Sequence, residues 1–96
     1  MRPETPNESP IQNDPLTLAL AALAETLGEQ RRAQRFLDLT GIGTDELRAR
    51  ACEPSLLIAL IAFLEAHEPD LVAVAQGLGV APADLVEARR TLEGAA

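Results

Sequence analysis

The stretch "VAVAQGLGVAPADLVEARRTL", Val72 to Leu92, reads as two helices meeting at a tight corner. Ala75 is small where the helices would cross, and Gly79, four residues on, permits the turn. Val80 plugs the corner and Leu85 pins the second helix, which together match a helix-turn-helix unit. A unit that reads DNA needs side-chain donors on the exposed start of its second helix. Here that start holds Ala81, Pro82, Ala83, Asp84, Val86 and Glu87, and the two carboxylates would repel phosphate. Arg89 and Arg90 come late, near the last turn, where cations suit the helix dipole. From Glu68 to Ala96, five acids stand against two arginines. The stretch is therefore expected to close a helical scaffold. A DNA-binding or transcriptional accessory role through the helix-turn-helix-like unit 70–92 is the alternative.

Working outward, proline and glycine punctuate a series of short helices. "NDPLTLALAALAETLG" opens with Asp14 as N-cap and Pro15 at the first helical position, and Gly28 breaks it. Leu16, Leu20, Leu23 and Leu27 fall on one stripe. "EQRRAQRFLDLTG" turns Ala33, Phe36, Leu37 and Thr40 inward and Arg31, Arg32 and Arg35 outward, and Gly41 is a left-handed stop. "GTDELRARACE" gives a short helix capped by Thr44, with Asp45 and Glu46 in its first turn. "EPSLLIALIAFLEAH" is apolar nearly all round and should be the buried central helix. Helices entering at Glu68–Pro69 and at Pro82 complete the set. No strand signal is present. The connecting segments are short, which suits a compact all-α bundle of five to six helices packed orthogonally. The corner at Gly41–Ile42 echoes the one at Gly79–Val80 at an offset of 38 residues. Any helical corner needs a glycine and an apolar plug, so a chance likeness is favoured over a duplication.

Residues 1 to 13 are polar and carry Pro3, Pro6 and Pro10, so a disordered N-terminal tail precedes a single helical domain over 14–94. The tail has no apolar core and is not expected to be a secretory signal. The longest apolar run, "LLIALIAFL" from Leu56 to Leu64, has nine residues, and a bilayer span needs about 20. The chain of 96 residues is 47% apolar, but much of that is alanine, which buries little area. Phe36 and Phe63 are its only aromatics. Fifteen acids against eight arginines, with no lysine, give a formal charge of −7. The absence of lysine points to a GC-rich bacterial genome. The acidic balance argues against general affinity for nucleic acid or anionic membranes. One cysteine excludes an internal disulfide or a cysteine zinc cluster. A cytoplasmic protein is expected.

Chemistry-bearing constellations are sparse. Cys52 and His67 flank the central helix, whose length would hold them far apart, so Cys52 reads as a small core residue and His67 as a polar helix-end residue. Glu65, His67, Glu68 and Asp70 form an acidic corner whose spacing matches no metal-ligand motif. No phosphate-binding loop, nucleophilic triad or carboxylate dyad is evident. The expectation is a protein that is not an enzyme and takes no metal or cofactor. The best candidate interaction surface is an arginine corner of Arg31, Arg32, Arg35, Arg48 and Arg50. It would bind an anion or an acidic segment of a partner. A solvated face paired with Glu29, Asp38, Asp45 and Glu46 is the blander reading.

The segments "RFLDLTG" (Arg35–Gly41), Leu47 to Leu64 with its "ACEP" entry, Glu68 to Ala75, and Gly79 to Leu92 together resemble domain of unknown function 3572, a family of small helical alphaproteobacterial proteins. The resemblance covers nearly everything after the tail, and the proline-rich start departs from it. It implies a fold and a lineage without a mechanism. The function expected from the residues is a helical interaction module. Its partner is another protein, with a homodimer through the leucine-rich first helix as a further option.

Overall fold

In a computed structural model, residues 14–95 are described, and they form six α-helices and no strand. The tail expected over 1–13 lies outside the described residues. The helices are α1 (Pro15–Leu27), α2 (Gln30–Thr40), α3 (Thr44–Arg50), α4 (Pro54–Glu65), α5 (Glu68–Leu78) and α6 (Pro82–Ala95), joined by links of two or three residues. No single described helix is long and apolar enough to cross a membrane.

The punctuation works largely as the sequence implies. Asp14 caps α1 by accepting the Thr17 N–H at 3.2 Å, with Pro15 at the first turn. Gly41 and Gly79 both end their helices at φ +73°, a left-handed conformation that L side chains rarely adopt. At the second corner the Val80 N–H returns to the Ala75 carbonyl at 3.0 Å, tying off the last turn of α5. Ile42 and Val80, the two plugs, are half-buried against the core. Two caps differ from expectation by one residue. Gly43, not Thr44, precedes α3, and His67, not Glu68, precedes α5, because in both cases the extended residue lies one position earlier.

The core is built around α4, whose Leu57, Leu60, Ile61 and Leu64 are fully buried. α1, α4 and α6 pack mutually, and α5 closes against α1 and α4. α1 meets them with a different face from the one its leucines suggest. Leu18, Ala19, Ala22, Leu23 and Thr26 are buried, whereas Leu16 and Leu20 are half-buried and Leu27 is exposed. The first half of α1 is apolar on adjacent lines, so periodicity alone does not choose between them. Ala19 and Ala22 are fully buried on the chosen line, where a short side chain lets helices come together, with Leu18 and Leu23 buried beside them. Thr26 fits there because its hydroxyl donates to the Ala22 carbonyl at 2.7 Å, leaving no unpaired polar group.

α2 and α3 are the peripheral elements. Each buries one side chain: Phe36 from α2 and Leu47 from α3. α2 leans on α1. Cys52, read above as a core residue, is exposed, because it falls in the turn after α3 and not on a packed helical face.

Candidate interaction surface

Two of the three arginines of α2, Arg32 and Arg35, stand one turn apart on the side facing the start of α5. Arg32 and Arg35 both reach Asp70, the third residue of α5. Arg32 Nε donates to Asp70 Oδ1 at 3.1 Å, and Arg35 Nη2 donates to Oδ2. The Asp70 side chain is only 9% exposed and that of Arg32 14%, so this pair is largely withdrawn from water. Burial opposes ionisation of Asp70. The hydrogen bonds and charges of the two guanidiniums outweigh it and hold the carboxyl below its ordinary value of 3.8. Arg32, expected to point outward, is instead a structural cation. The expected partners of these arginines are used otherwise: Glu29 caps α2 by accepting the Arg32 N–H at 2.8 Å, and Asp38 accepts from Gln34.

The aromatic residues gather at the same place. The Phe36 and Phe63 rings meet edge to face, 5.3 Å apart and inclined by 63°. The Arg35 guanidinium lies 5.5 Å from the centre of the Phe63 ring. Beside this stack a groove of about 380 Å³ opens between α2 and α4, lined by Arg35, Asp38, Leu39 and Phe63. Leu39, at its lip, is 72% exposed, the highest value among the large apolar residues described. Arg31 is exposed and makes no ion pair among the described residues.

Arg48 and Arg50 do not join this cluster. Arg50 is held by Glu53 at 2.8 Å and Glu46 at 3.3 Å, hydrogen bonds that raise its pKa further. Arg48 lies 3.6 Å from Asp45, with both side chains open to solvent. Glu46 and Asp45 are carboxylates that the blander reading of the sequence named, and Glu53, the nearer partner of Arg50, is one it did not. Behind Arg48, a second and more apolar groove of about 270 Å³ runs between α1 and α3, lined by Leu23, Leu27, Thr44, Leu47, Arg48 and Ala51.

The helix-turn-helix-like corner has the expected shape, with the axes of α5 and α6 bent by 97°. Its outer surface keeps the acidic character read from sequence. Asp84 accepts the Ala81 N–H at 2.9 Å as a helix-start cap. Arg89 bonds Glu65, with one of the two bonds at 3.2 Å, and Glu93 at 2.9 Å, and these bonds raise its pKa. Arg90 lies 3.9 Å from Glu87. The acidic corner of Glu65, His67, Glu68 and Asp70 is dispersed, since Glu65 serves Arg89 and Asp70 serves α2. Cys52 and His67 sit beyond opposite ends of α4, which spans about 18 Å at 1.5 Å per residue.

Sequence reasoning missed two residues of this surface. Leu39 carried a signal: it is the apolar residue of α2 that falls off the inward stripe of Ala33, Phe36, Leu37 and Thr40. Asp70 carried none, because nothing local says which acid of the first turn of α5 will meet arginines 35 and 38 residues earlier. Residues 12–95 match the model of a protein family described as a protein of unknown function (DUF3572). No curated protein and no solved structure matches the chain.

Proposed function

The chain belongs to the family of unknown function DUF3572, whose description assigns no activity, and from its own geometry we propose that it is a non-enzymatic, cytoplasmic interaction module that binds protein. The observation that carries this reading is the exposed Leu39 at the lip of a groove walled by Phe63 and Arg35. An apolar anchor beside a fixed cation is the composition of a protein-docking surface. Arg31 supplies a cation on the same helix. Arg32 supports the surface from behind and is not itself a contact. The remaining titratable groups with perturbed pKa values are engaged in caps or ion pairs, which supports a structural use for them.

The test is affinity capture by the full chain from native lysate, compared with a Leu39→Asp, Arg31→Glu variant and with an Arg90→Glu control. A stoichiometric protein retained by the wild type and the control, and lost by the double variant, is expected. No stoichiometric protein, together with a monomer in light scattering, would overturn the reading. The 97° corner favours a second reading, an accessory protein on duplex DNA. Asp84, Glu87 and the engaged Arg89 and Arg90 weigh against it, and no shift of duplex DNA is expected in a low-salt gel.

A further inference from the structure

We propose that the partner seated on this surface includes a second copy of the chain, through a reciprocal contact in which Leu39 of each copy enters the α1–α3 groove of the other. The inference rests on the protein-binding reading and names its occupant. Three observations carry it. First, the molecule presents both halves of an apolar joint: a leucine that is 72% exposed, and a groove lined mostly by Leu23, Leu27, Leu47 and Ala51. The groove, at about 270 Å³, has room for a leucine side chain. Second, the charges at the two halves can pair crosswise: Arg35 and Asp38 stand beside Leu39, and Asp45 and Arg48 stand on the helix that walls the groove. Asp38 immediately precedes Leu39, and the groove is flanked by Arg48, which is 77% exposed and only loosely engaged by Asp45. Third, knob and groove lie on either side of one short turn, the link Gly41–Gly43, with Leu39 before it and Thr44, Leu47 and Arg48 after it. When both halves sit on one corner, a two-fold axis can satisfy them simultaneously, and the contact closes on itself as a dimer. The formal charge of −7 on each copy opposes the approach at low ionic strength. The joint is therefore small and weak, and moderate salt should tighten it by screening that repulsion.

Sedimentation equilibrium of the full chain at total concentrations from about 1 µM to about 1 mM covers the range expected of a contact this small. A monomer–dimer equilibrium is expected. Leu39→Asp should weaken it at least tenfold with an unchanged circular dichroism spectrum, since a side chain so exposed holds nothing in the fold. Asp38→Arg alone and Arg48→Asp alone should each weaken association, and the two together should restore it, which a merely unfolding effect would not do. A wild type that stays monomeric at the highest concentration overturns the proposal, as does a dimer that Leu39→Asp leaves intact. Association running past dimer into polymers overturns the reciprocal geometry. A monomeric wild type that still retains a different protein from lysate would sink self-association alone and leave the docking reading standing.

Discussion

Asp70 decides where α2 lies. It is a carboxylate withdrawn from water with a guanidinium on each oxygen, and α2 buries only one side chain besides. Removing one member of a fully buried pair costs about 3–5 kcal/mol because the other charge is left unpaired. Here Arg35 is half in solvent and can rehydrate, so Asp70→Ala should cost less, about 2–3 kcal/mol, in urea unfolding followed by circular dichroism. The pH dependence has a definite sign. The folded-state pKa of Asp70 is depressed, so its contribution is fully present above the ordinary carboxyl value of 3.8 and is lost as pH falls through the lower folded value. The stability gap between wild type and Asp70→Asn should be constant from pH 7 to 5 and should shrink below about pH 4. A gap that widened on acidification would contradict a paired, ionised Asp70.

The two corner glycines allow a separate test at the same scale. A Cβ built on Gly41 or Gly79 meets nothing within 4 Å, so a substitution there is penalised only by the backbone. Gly41→Ala and Gly79→Ala should each cost about 1–2 kcal/mol, and asparagine at either site should cost less, because its side chain tolerates the left-handed region. Equal losses for alanine and asparagine would mean that something other than φ is at stake. Matching costs at the two sites are expected, since each corner needs the same conformation for the same reason.

At the scale of elements, the six helices divide into a body and an attachment. α1, α4, α5 and α6 share every buried leucine but Leu47. α2 and α3 hold on through Phe36, Leu47 and the Asp70 ion pair. Segments with few buried apolar contacts open at lower free energy than the whole. Amides of α2 and α3 should therefore exchange with deuterium through a partial opening while those of α4 wait for global unfolding. Asp70→Asn should speed exchange in α2 selectively. Uniform protection across all six helices would show instead that the chain opens as one unit.

This division also marks how far the sequence could be read. Helix starts at Pro15, Pro54 and Pro82 and stops at Gly41 and Gly79 were legible, because they depend on the local backbone. The burial of α4 was legible because it is apolar on every side. The facing of α1 was not, since several adjacent lines of apolar residues compete and only packing chooses the alanine one. The arginine corner was half legible. Arg48 met Asp45 and Arg50 met Glu46, as named for them, and Arg50 also took Glu53, which was not named; all three lie three or four residues away on the chain. Arg32 and Arg35 found theirs 38 and 35 residues away, a distance over which composition and periodicity carry no information.

For the molecule as a whole, a small alanine-rich core leaves modest stability in reserve, and the two aromatics are both placed where α2 meets α4. The same place carries the exposed leucine and the fixed cations, so the contacts that hold α2 to the body also position the surface proposed for docking. The most direct measurement puts a photoreactive benzophenone side chain at position 39 in the intact cell, with one at position 91, on the exposed face of α6, as control. A discrete covalent protein adduct from position 39 and none from position 91 is the predicted result, with a mass of two chains where the partner is a second copy. No discrete adduct from position 39, or the same adducts from both positions, would contradict a docking surface at α2.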